Sequence, residues 1–229
     1  MKTIGLLGGM SWESTALYYR LINEETRRRL GGLHSAKIAL LSVDFDEIET
    51  HQRTGDWDAT ATILCQRARQ LESAGADFLL ICTNTMHIVA PQIAAAIDIP
   101  LVHLADATAE HIRSRGIERV GLLGTRFTME KDFYRGRLTE AGLDVLVPSE
   151  SDRATVHRVI YDELCRGTID DDSRREFLKI VADLHFSGAD GVIAGCTEIG
   201  MLIDQTHTDV PLFDTTAIHA QRAVGLALE

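Results

Sequence analysis

The chain has 229 residues, of which 45% are hydrophobic and 25% are charged, the proportions of an ordinary soluble globular protein. Its net charge of −11 argues against binding to duplex nucleic acid, which needs a basic surface, and no apolar run reaches the roughly 18 residues of a membrane span. The first residues show no charged n-region, long apolar stretch or cleavage site, so no secretory signal is expected. The four cysteines form no CxxC pair, which argues against a disulfide framework or a structural zinc site and favours a cytoplasmic protein with reduced thiols.

The predicted elements alternate between short apolar strands and amphipathic helices along the whole chain. In the first half, strands are predicted at 2–7, 37–43, 77–82 and 100–104, and helices at 12–30, 57–74, 87–97 and 105–115. In the second half, strands are predicted near 118–123, 144–147, 190–195 and 211–213, and helices near 129–141, 153–164, 173–186 and 215–228. Residues 49–53 are predicted to form a loop. This alternation predicts parallel sheets, and ligands bind beyond the carboxyl ends of such strands.

Three sequence matches indicate that the chain contains an internal duplication. In the same order along the chain, they pair Ile4–Gly9 with Val120–Thr125, Gly75–Leu80 with Gly188–Ile193, and Ile99–Val102 with Val210–Phe213. The period is too long for a solenoid, so we predict an α/β protein of two similar lobes, each a parallel sheet flanked by helices. The expected lobes are residues 1–103 with 214–229, and residues 104–213.

The third strand of each predicted lobe ends in a polar cluster. The duplication aligns Thr83 with Cys196, Asn84 with Thr197, and Thr85 with Glu198. Because side chains alternate across a strand, Cys82 should point away from the face that carries Thr83. Two related lobes facing each other would present Thr83 and Cys196 to a ligand from opposite sides, so these two are the candidate catalytic residues.

The first strand of each lobe ends in a glycine turn, Gly8-Gly9-Met10-Ser11 in one and Gly124-Thr125 in the other. Backbone N–H groups at such a turn, at the start of a helix, can bind a carboxylate or a phosphate. The first turn lacks the GxGxxG pattern of a dinucleotide site and the lysine of a P-loop, so a nucleotide site is not favoured.

The remaining titratable side chains have simpler interpretations. Cys65 and Cys165 lie in helical patterns, where a cysteine is usually a small buried hydrophobe. The histidines show no HxH or HExxH spacing, which argues against a metal site. For His87, three roles remain open: binding a ligand, capping a helix, or adjusting the properties of the site. The run Asp170–Asp172 is expected to be a solvated helix start.

Three separated motifs, Gly8–Thr15, Thr83–His87 and Gly195–Glu198, together resemble the aspartate/glutamate racemase family over the whole chain. The resemblance implies two α/β lobes related by pseudo-two-fold symmetry, with the active site between them, and catalysis without pyridoxal phosphate. Members of the family usually carry one catalytic cysteine in each lobe. Here the first of those positions is Thr83, so the chain resembles a branch in which threonine replaces one thiol.

Racemisation removes the Cα proton from one face of an amino acid and returns a proton to the other, so two groups on opposite sides are needed. A thiol can become a thiolate base, whereas threonine is far less acidic and can carry a proton or position a water. Cys196 is therefore predicted to be the base and Thr83 the group across the substrate. No lysine lies at a predicted strand end of the site, so no Schiff-base or other cofactor is expected.

An acidic substrate that approaches a chain of net charge −11 needs local positive charge, for which Arg53 and Arg126 are candidates. The resemblance also implies that the loop with Gln52 and Arg53 contacts substrate. The predicted substrate-binding residues are Met10, Gln52, Arg53, Asn84, Thr85, Thr125, Thr197 and Glu198. The expected partner is a small amino acid (aspartate, glutamate or a broader set), with no nucleic acid and no membrane, and the sequence is compatible with a homodimer.

Two alternatives remain open. One is another enzyme of the superfamily, such as a maleate isomerase, a hydantoin racemase or an arylmalonate decarboxylase, which share the second-lobe cysteine. The other is a ligand-binding homologue with weak catalysis, since one of the usual thiols is absent. The run Cys196-Thr197-Glu198, together with Asn84-Thr85, favours amino-acid racemisation over both.

Overall fold

The computed structural model describes residues 1–229, which form two compact units. Unit 1 comprises residues 1–104 and 219–229, and unit 2 comprises residues 105–218. Each unit is built around one parallel β-sheet flanked by helices, which confirms the predicted α/β fold. None of the helices combines the length and the apolar composition needed to cross a membrane.

Unit 1 contains a three-stranded parallel sheet. Its elements, in chain order, are β1 (Ile4–Gly8), α1 (Trp12–Leu30), β2 (Ile38–Ser42), α2 (Phe45–Thr54), α3 (Trp57–Ser73), β3 (Phe78–Ile81), a 3₁₀ helix (Thr85–Val89) and α4 (Ala90–Ala94). The strand order is β2-β1-β3. The central strand β1 is buried along its whole length, as is typical of a parallel strand covered on both faces.

Unit 2 contains a four-stranded parallel sheet in the order β5-β4-β6-β7. Its elements are α5 (Leu104–Arg113), β4 (Arg119–Gly124), α6 (Arg126–Glu130), α7 (Asp132–Glu140), β5 (Asp144–Leu146), α8 (Glu150–Asp162), a 3₁₀ helix (Leu164–Arg166), α9 (Asp171–Phe186), β6 (Gly191–Gly195), α10 (Ile199–Leu202), β7 (Leu212–Asp214) and α11 (Thr215–Leu228). The first residue of α5 and the C-terminal part of α11 belong to unit 1. The acidic run starts α9 as predicted, because the Asp170 carboxylate accepts hydrogen bonds from the N–H groups of Asp172 and Ser173.

The two copies of the duplication pair their strands in the same register. In unit 1, Leu7 of β1 lies opposite Ile81 of β3. In unit 2, the aligned residues Leu123 and Ala194 are paired in the same way, between β4 and β6. The alignment that places Thr83 opposite Cys196 in the sequence therefore also describes equivalent positions in the two sheets.

The prediction of a loop at residues 49–53 is wrong, because these residues lie within α2. The Asp44 carboxylate accepts from the N–H of Asp46 at the start of this helix, and Gly55, with a positive φ of 75°, ends it. Only Ile48 and Gln52 are buried, and Phe45 packs against the core as a partly buried side chain, so the helix has just two apolar residues toward the core. Such a sparse apolar pattern explains why the sequence does not reveal the helix.

Several other elements differ from their predicted extent. The predicted strand 100–104 is reduced to a bridge between Leu101 and Leu79, since α5 already begins at Leu104. The predicted helix 87–97 is a 3₁₀ helix followed by the short α4. The predicted helix 129–141 is divided at Lys131, where the backbone is extended. The four-residue α10 is missed, because one turn carries no periodicity.

Unit 1 also encloses a buried cluster formed by Tyr18, His87, His103 and His219, here called the histidine cluster. The Tyr18 hydroxyl donates to Nδ1 of His219 over 2.8 Å, and Nε2 of His219 donates to the Val102 carbonyl over 2.9 Å. A carbonyl oxygen only accepts, so the ring proton lies on Nε2 and Nδ1 is free to accept. Both ring nitrogens of His219 are thus satisfied in the neutral form, although the residue is fully buried.

The free energy of unfolding should fall as the pH is lowered from about 7.5 to 5, because folding suppresses the protonation of His219. Burial lowers the pKa of His219 from 6.5 to about 3, and His87 acts in the same direction. The unfolded chain therefore binds this proton near pH 6.5, and the folded chain does not until about pH 3. The stability contributed by neutral His219 is complete above pH 6.5 and is lost progressively toward pH 3. By pH 5 the loss is about 2 kcal/mol.

Urea denaturation at the two pH values measures this loss. His219→Gln should show a pH dependence smaller by about 2 kcal/mol than the wild type, because glutamine does not titrate. His34→Gln, at an exposed position, should keep the wild-type dependence. An unchanged pH dependence in His219→Gln would contradict the role given to His219.

Candidate active site

The end of β3 separates two neighbouring side chains by burial. Cys82 is fully buried, its N–H donates to the Leu7 carbonyl, and its own carbonyl accepts from the Ser14 hydroxyl over 2.6 Å. Burial raises the pKa of the Cys82 thiol. Thr83, the next residue, is only partly buried. The structure therefore holds Cys82 inside unit 1 as an un-ionised thiol and leaves Thr83 more accessible, in keeping with the alternation of strand side chains.

Beyond Thr83 the chain turns into the 3₁₀ helix. Asn84 precedes this helix, Thr85 begins it, and both are buried. His87, also buried, returns to the strand end, because its Nδ1 lies 2.9 Å from the Thr83 carbonyl. The polar side chains predicted for this strand end are therefore gathered within one short turn.

The glycine turn after β1 is tightly built. A Cβ on Gly8 would lie 2.4 Å from the Thr15 side chain, and one on Gly9, where φ is 93°, would lie 2.2 Å from the Val43 carbonyl oxygen. The N–H of Gly9 donates to the Thr15 hydroxyl over 2.8 Å, and Met10 is buried in the core. Within this turn, the N–H of Gly9 is therefore already engaged by the Thr15 hydroxyl.

The predicted substrate-binding residues of α2 and α6 have different environments. Gln52 is buried, whereas Arg53 is exposed, with its Nε 3.6 Å from a Glu49 carboxylate oxygen. Thr125 is buried and its hydroxyl accepts from the N–H of Thr128, so it serves as the N-cap of α6. Arg126, the next residue, is exposed. Both candidate arginines therefore keep their guanidinium groups near solvent.

The end of β6 in unit 2 carries a buried thiol beside a buried carboxylate. Cys196 is 9% exposed, and its Sγ donates to Oε2 of Glu198 over 2.9 Å. Burial raises the pKa of the Cys196 thiol well above its ordinary value, and the negative charge of Glu198 raises it further. Thr197, between them, is also buried. In this arrangement the thiol is protonated, and its proton already points at an acceptor.

The contact between Cys196 and Glu198 gives Glu198 a position that the sequence pattern does not specify. Glu198 is predicted to bind substrate, and its carboxylate here faces the thiol. A carboxylate that accepts a thiol proton can take that proton when the thiol is converted to a nucleophile or a base. The described residues contain no group of three or more His, Cys, Asp or Glu side chains placed to hold a metal ion.

Sequence reasoning also misses the histidine cluster. His87 follows Thr83 by four residues, a spacing at which a side chain can return to the backbone of the preceding turn. That spacing is the one available signal. His103 and His219 come close to His87 only in the folded unit, with ring centroids 4.5 and 6.1 Å away.

Comparison with known proteins places the chain in a family. A model of the Asp/Glu/hydantoin racemase family matches residues 7–223. The broad specificity amino-acid racemase RacX of Bacillus subtilis (strain 168) is 22% identical over 233 residues, which cover 98% of each chain. Two crystal structures match this chain along the full length of both partners: a candidate Asp/Glu racemase from Yersinia pestis (53% identity, TM-score 0.94) and an aspartate racemase homologue from Pyrococcus horikoshii OT3 (35% identity, TM-score 0.88). The chain belongs to the Asp/Glu/hydantoin racemase family.

Proposed function

We propose that the chain is a cofactor-independent amino-acid racemase that interconverts the L- and D-forms of aspartate or glutamate by proton removal at Cα. The observation that carries the proposal is the equivalent placement of Cys196 and Thr83 beyond β6 and β3, in two units that pair their strands in the same register. Family membership and the names of the relatives, an amino-acid racemase and an aspartate racemase homologue, support the reaction and the substrate class.

In the proposed reaction Cys196 acts as the base after Glu198 has taken its proton. The proton moves from Sγ to the Glu198 carboxylate along the 2.9 Å hydrogen bond and leaves a thiolate. Because burial and Glu198 both raise the pKa of the thiol, this transfer needs a nearby positive charge, a part that we assign to the α-ammonium group of the substrate. The thiolate then removes the Cα proton of the L-amino acid.

Thr83 serves the opposite face of the substrate. Its hydroxyl, or a water that it holds, gives a proton to the carbanion. Solvent then restores the proton to that group and takes up the proton held by Glu198, while Cys196 keeps the former Cα proton, so all three groups return to their starting states. A hydroxyl is a poor base, so Thr83 is better suited to giving this proton than to removing one. The proposed reaction thus uses unequal groups on the two faces of the substrate.

The carbanion is stabilised by donors that surround the substrate carboxylate as it becomes enolate-like. We assign this part to Asn84, Thr85 and Thr197, which follow the same two strands as Thr83 and Cys196. The exposed guanidinium of Arg53 supplies positive charge for an acidic substrate. Met10, Gln52 and Thr125 complete the proposed binding set.

Proton NMR in deuterated water tests the proposed function. L-Aspartate and L-glutamate, incubated with the enzyme, should lose the α-proton signal and give the deuterated D-form, which a chiral separation detects. A broader panel of amino acids determines the substrate range. Absence of α-proton loss from every amino acid tested, together with thermal stabilisation of the protein by one of them, would instead identify a ligand-binding homologue.

A further inference from the structure

His87 connects the carbonyl group of Thr83 to the start of α5. Its Nδ1 lies 2.9 Å from the Thr83 carbonyl oxygen, and its Nε2 lies 3.2 Å from the backbone nitrogen of Leu104. The side chain is 1% exposed, so neither contact is shared with bulk solvent. Both lie within unit 1.

The two partners fix the protonation state of the ring. A carbonyl oxygen only accepts, so Nδ1 must carry the proton, and a backbone N–H only donates, so Nε2 must be unprotonated. His87 is therefore neutral, with its proton on Nδ1. A second proton would remove the acceptor for Leu104 inside a buried site, which is costly. The rings of His103 and His219 lie beside that of His87, and His219 in turn accepts from Tyr18.

The contact with Leu104 has a structural purpose of its own. Leu104 is the first residue of α5, and the N–H groups of a first helical turn have no acceptor within the helix. Nε2 of His87 supplies one. The start of α5 thus fixes the ring through Nε2, and the ring in turn fixes the peptide group of Thr83 through Nδ1.

We propose that His87 is a positioning residue for Thr83, which fixes the Thr83 peptide so that its hydroxyl meets the substrate in one orientation. The carbonyl belongs to the same residue as the hydroxyl, and a carbonyl locked by a hydrogen bond restrains the ψ angle that sets the direction of the Cα–Cβ bond. The inference rests on the proposed function of Thr83, and it assigns the restraint to the Nδ1 contact.

Two conservative variants separate the two contacts. In His87→Asn the side-chain amide can replace Nδ1 as the donor to Thr83 but does not reach Leu104. In His87→Gln the longer side chain can place its oxygen near the position of Nε2, as the acceptor for Leu104, with loss of the Nδ1 donor. His103→Asn is a matched control, because it changes a buried ring beside His87 and leaves both hydrogen bonds of His87 in place.

The readout is the ratio of inversion to α-proton exchange, measured with L-aspartate or L-glutamate in deuterated water. Exchange on the L side needs Cys196, whereas inversion also needs Thr83. His87→Gln should lower this ratio at least about tenfold, since a small misplacement of a reacting group has effects of this size. His87→Asn and His103→Asn should stay within about threefold of the wild-type ratio, because both keep the Nδ1-type donor. Continued exchange shows that the variant is folded and that Cys196 works.

A merely structural role for His87 would reduce exchange and inversion in proportion and leave the ratio unchanged, and that result in His87→Gln would overturn the inference. Nitrogen-15 NMR of the wild type gives a second measurement that needs no variant. The His87 ring should be neutral with its proton on Nδ1, and a charged ring or a proton on Nε2 would also overturn the inference. Failure of the proposed function is recognised separately, as the absence of exchange in the wild type.

Discussion

Replacement of Cys196 by alanine should abolish exchange of the α-proton of L-aspartate and L-glutamate, with a rate loss of at least about 100-fold, the lower end of what a general base contributes. Cys196 is the thiol that follows β6, and its proton faces the Glu198 carboxylate. Alanine removes the base and leaves the small, buried space of the side chain nearly unchanged. The decay of the α-proton signal in deuterated water measures the rate.

Matched variants distinguish this loss from a general effect of removing a thiol. Cys65→Ala, in α3 of unit 1, and Cys165→Ala, in the second 3₁₀ helix, should both keep nearly the full exchange rate. Glu198→Gln should retain the thiol but lose the proton acceptor, so its rate should lie between those of the wild type and Cys196→Ala. Survival of more than about a hundredth of the wild-type rate in Cys196→Ala would show that another group is the base.

Thr83→Cys should raise the rate at which the enzyme removes the α-proton of the D-amino acid, by about tenfold or more, because a thiol is far more readily ionised than a hydroxyl. The proposed function assigns Cys196 to removal of the α-proton of the L-amino acid. In the wild type, D-amino acids should therefore exchange much more slowly than L-amino acids. The equilibrium constant between the enantiomers is one by symmetry, so the difference between D and L does not appear in the final ratio. It appears in the rates of α-proton exchange without inversion and in the kinetic constants measured separately for the D- and L-substrates.

Two further variants test the position of Thr83 against that of its neighbour. Thr83→Ala should impair inversion, whereas Cys82→Ser should be catalytically tolerated because Cys82 is buried behind the strand. Impaired inversion in Cys82→Ser together with tolerance of Thr83→Ala would show that Cys82, and not Thr83, is the group across the substrate. Equal exchange rates for D- and L-amino acids in the wild type, or an unchanged D-amino-acid exchange rate in Thr83→Cys, would refute the proposal that Cys196 and Thr83 have unequal roles.

The long-range pattern of the fold is predictable from sequence because burial on both faces leaves a strong signal. The strands β1, β3, β4 and β6 are apolar and recur in matched order, so their existence and their equivalence follow from the duplication, and the structure pairs them in the same register. The elements that escape prediction are those held by local polar contacts. The start of α2, for example, depends on the Asp44 carboxylate, and its apolar face is too sparse to give a helical period.

The candidate site likewise combines features that the sequence predicts with features that it does not. The positions of Cys196 and Thr83 follow from aligning the two halves of the chain. The contact of Cys196 with Glu198 could not be predicted, because it depends on how the chain turns after β6. The contact of His87 with Leu104 joins residues 17 apart through a ring orientation that no periodic pattern encodes.

The division of the chain into units also bears on its synthesis. Unit 2 is one continuous stretch, residues 105–218, and can complete its contacts as soon as that stretch has left the ribosome. Unit 1 is made first but finished last, because residues 219–229 supply the ring of His219 and the carbonyl of Ala227, which accepts from the N–H of Lys2. Loss of residues 219–229 should therefore damage unit 1, although most of that unit is translated before unit 2.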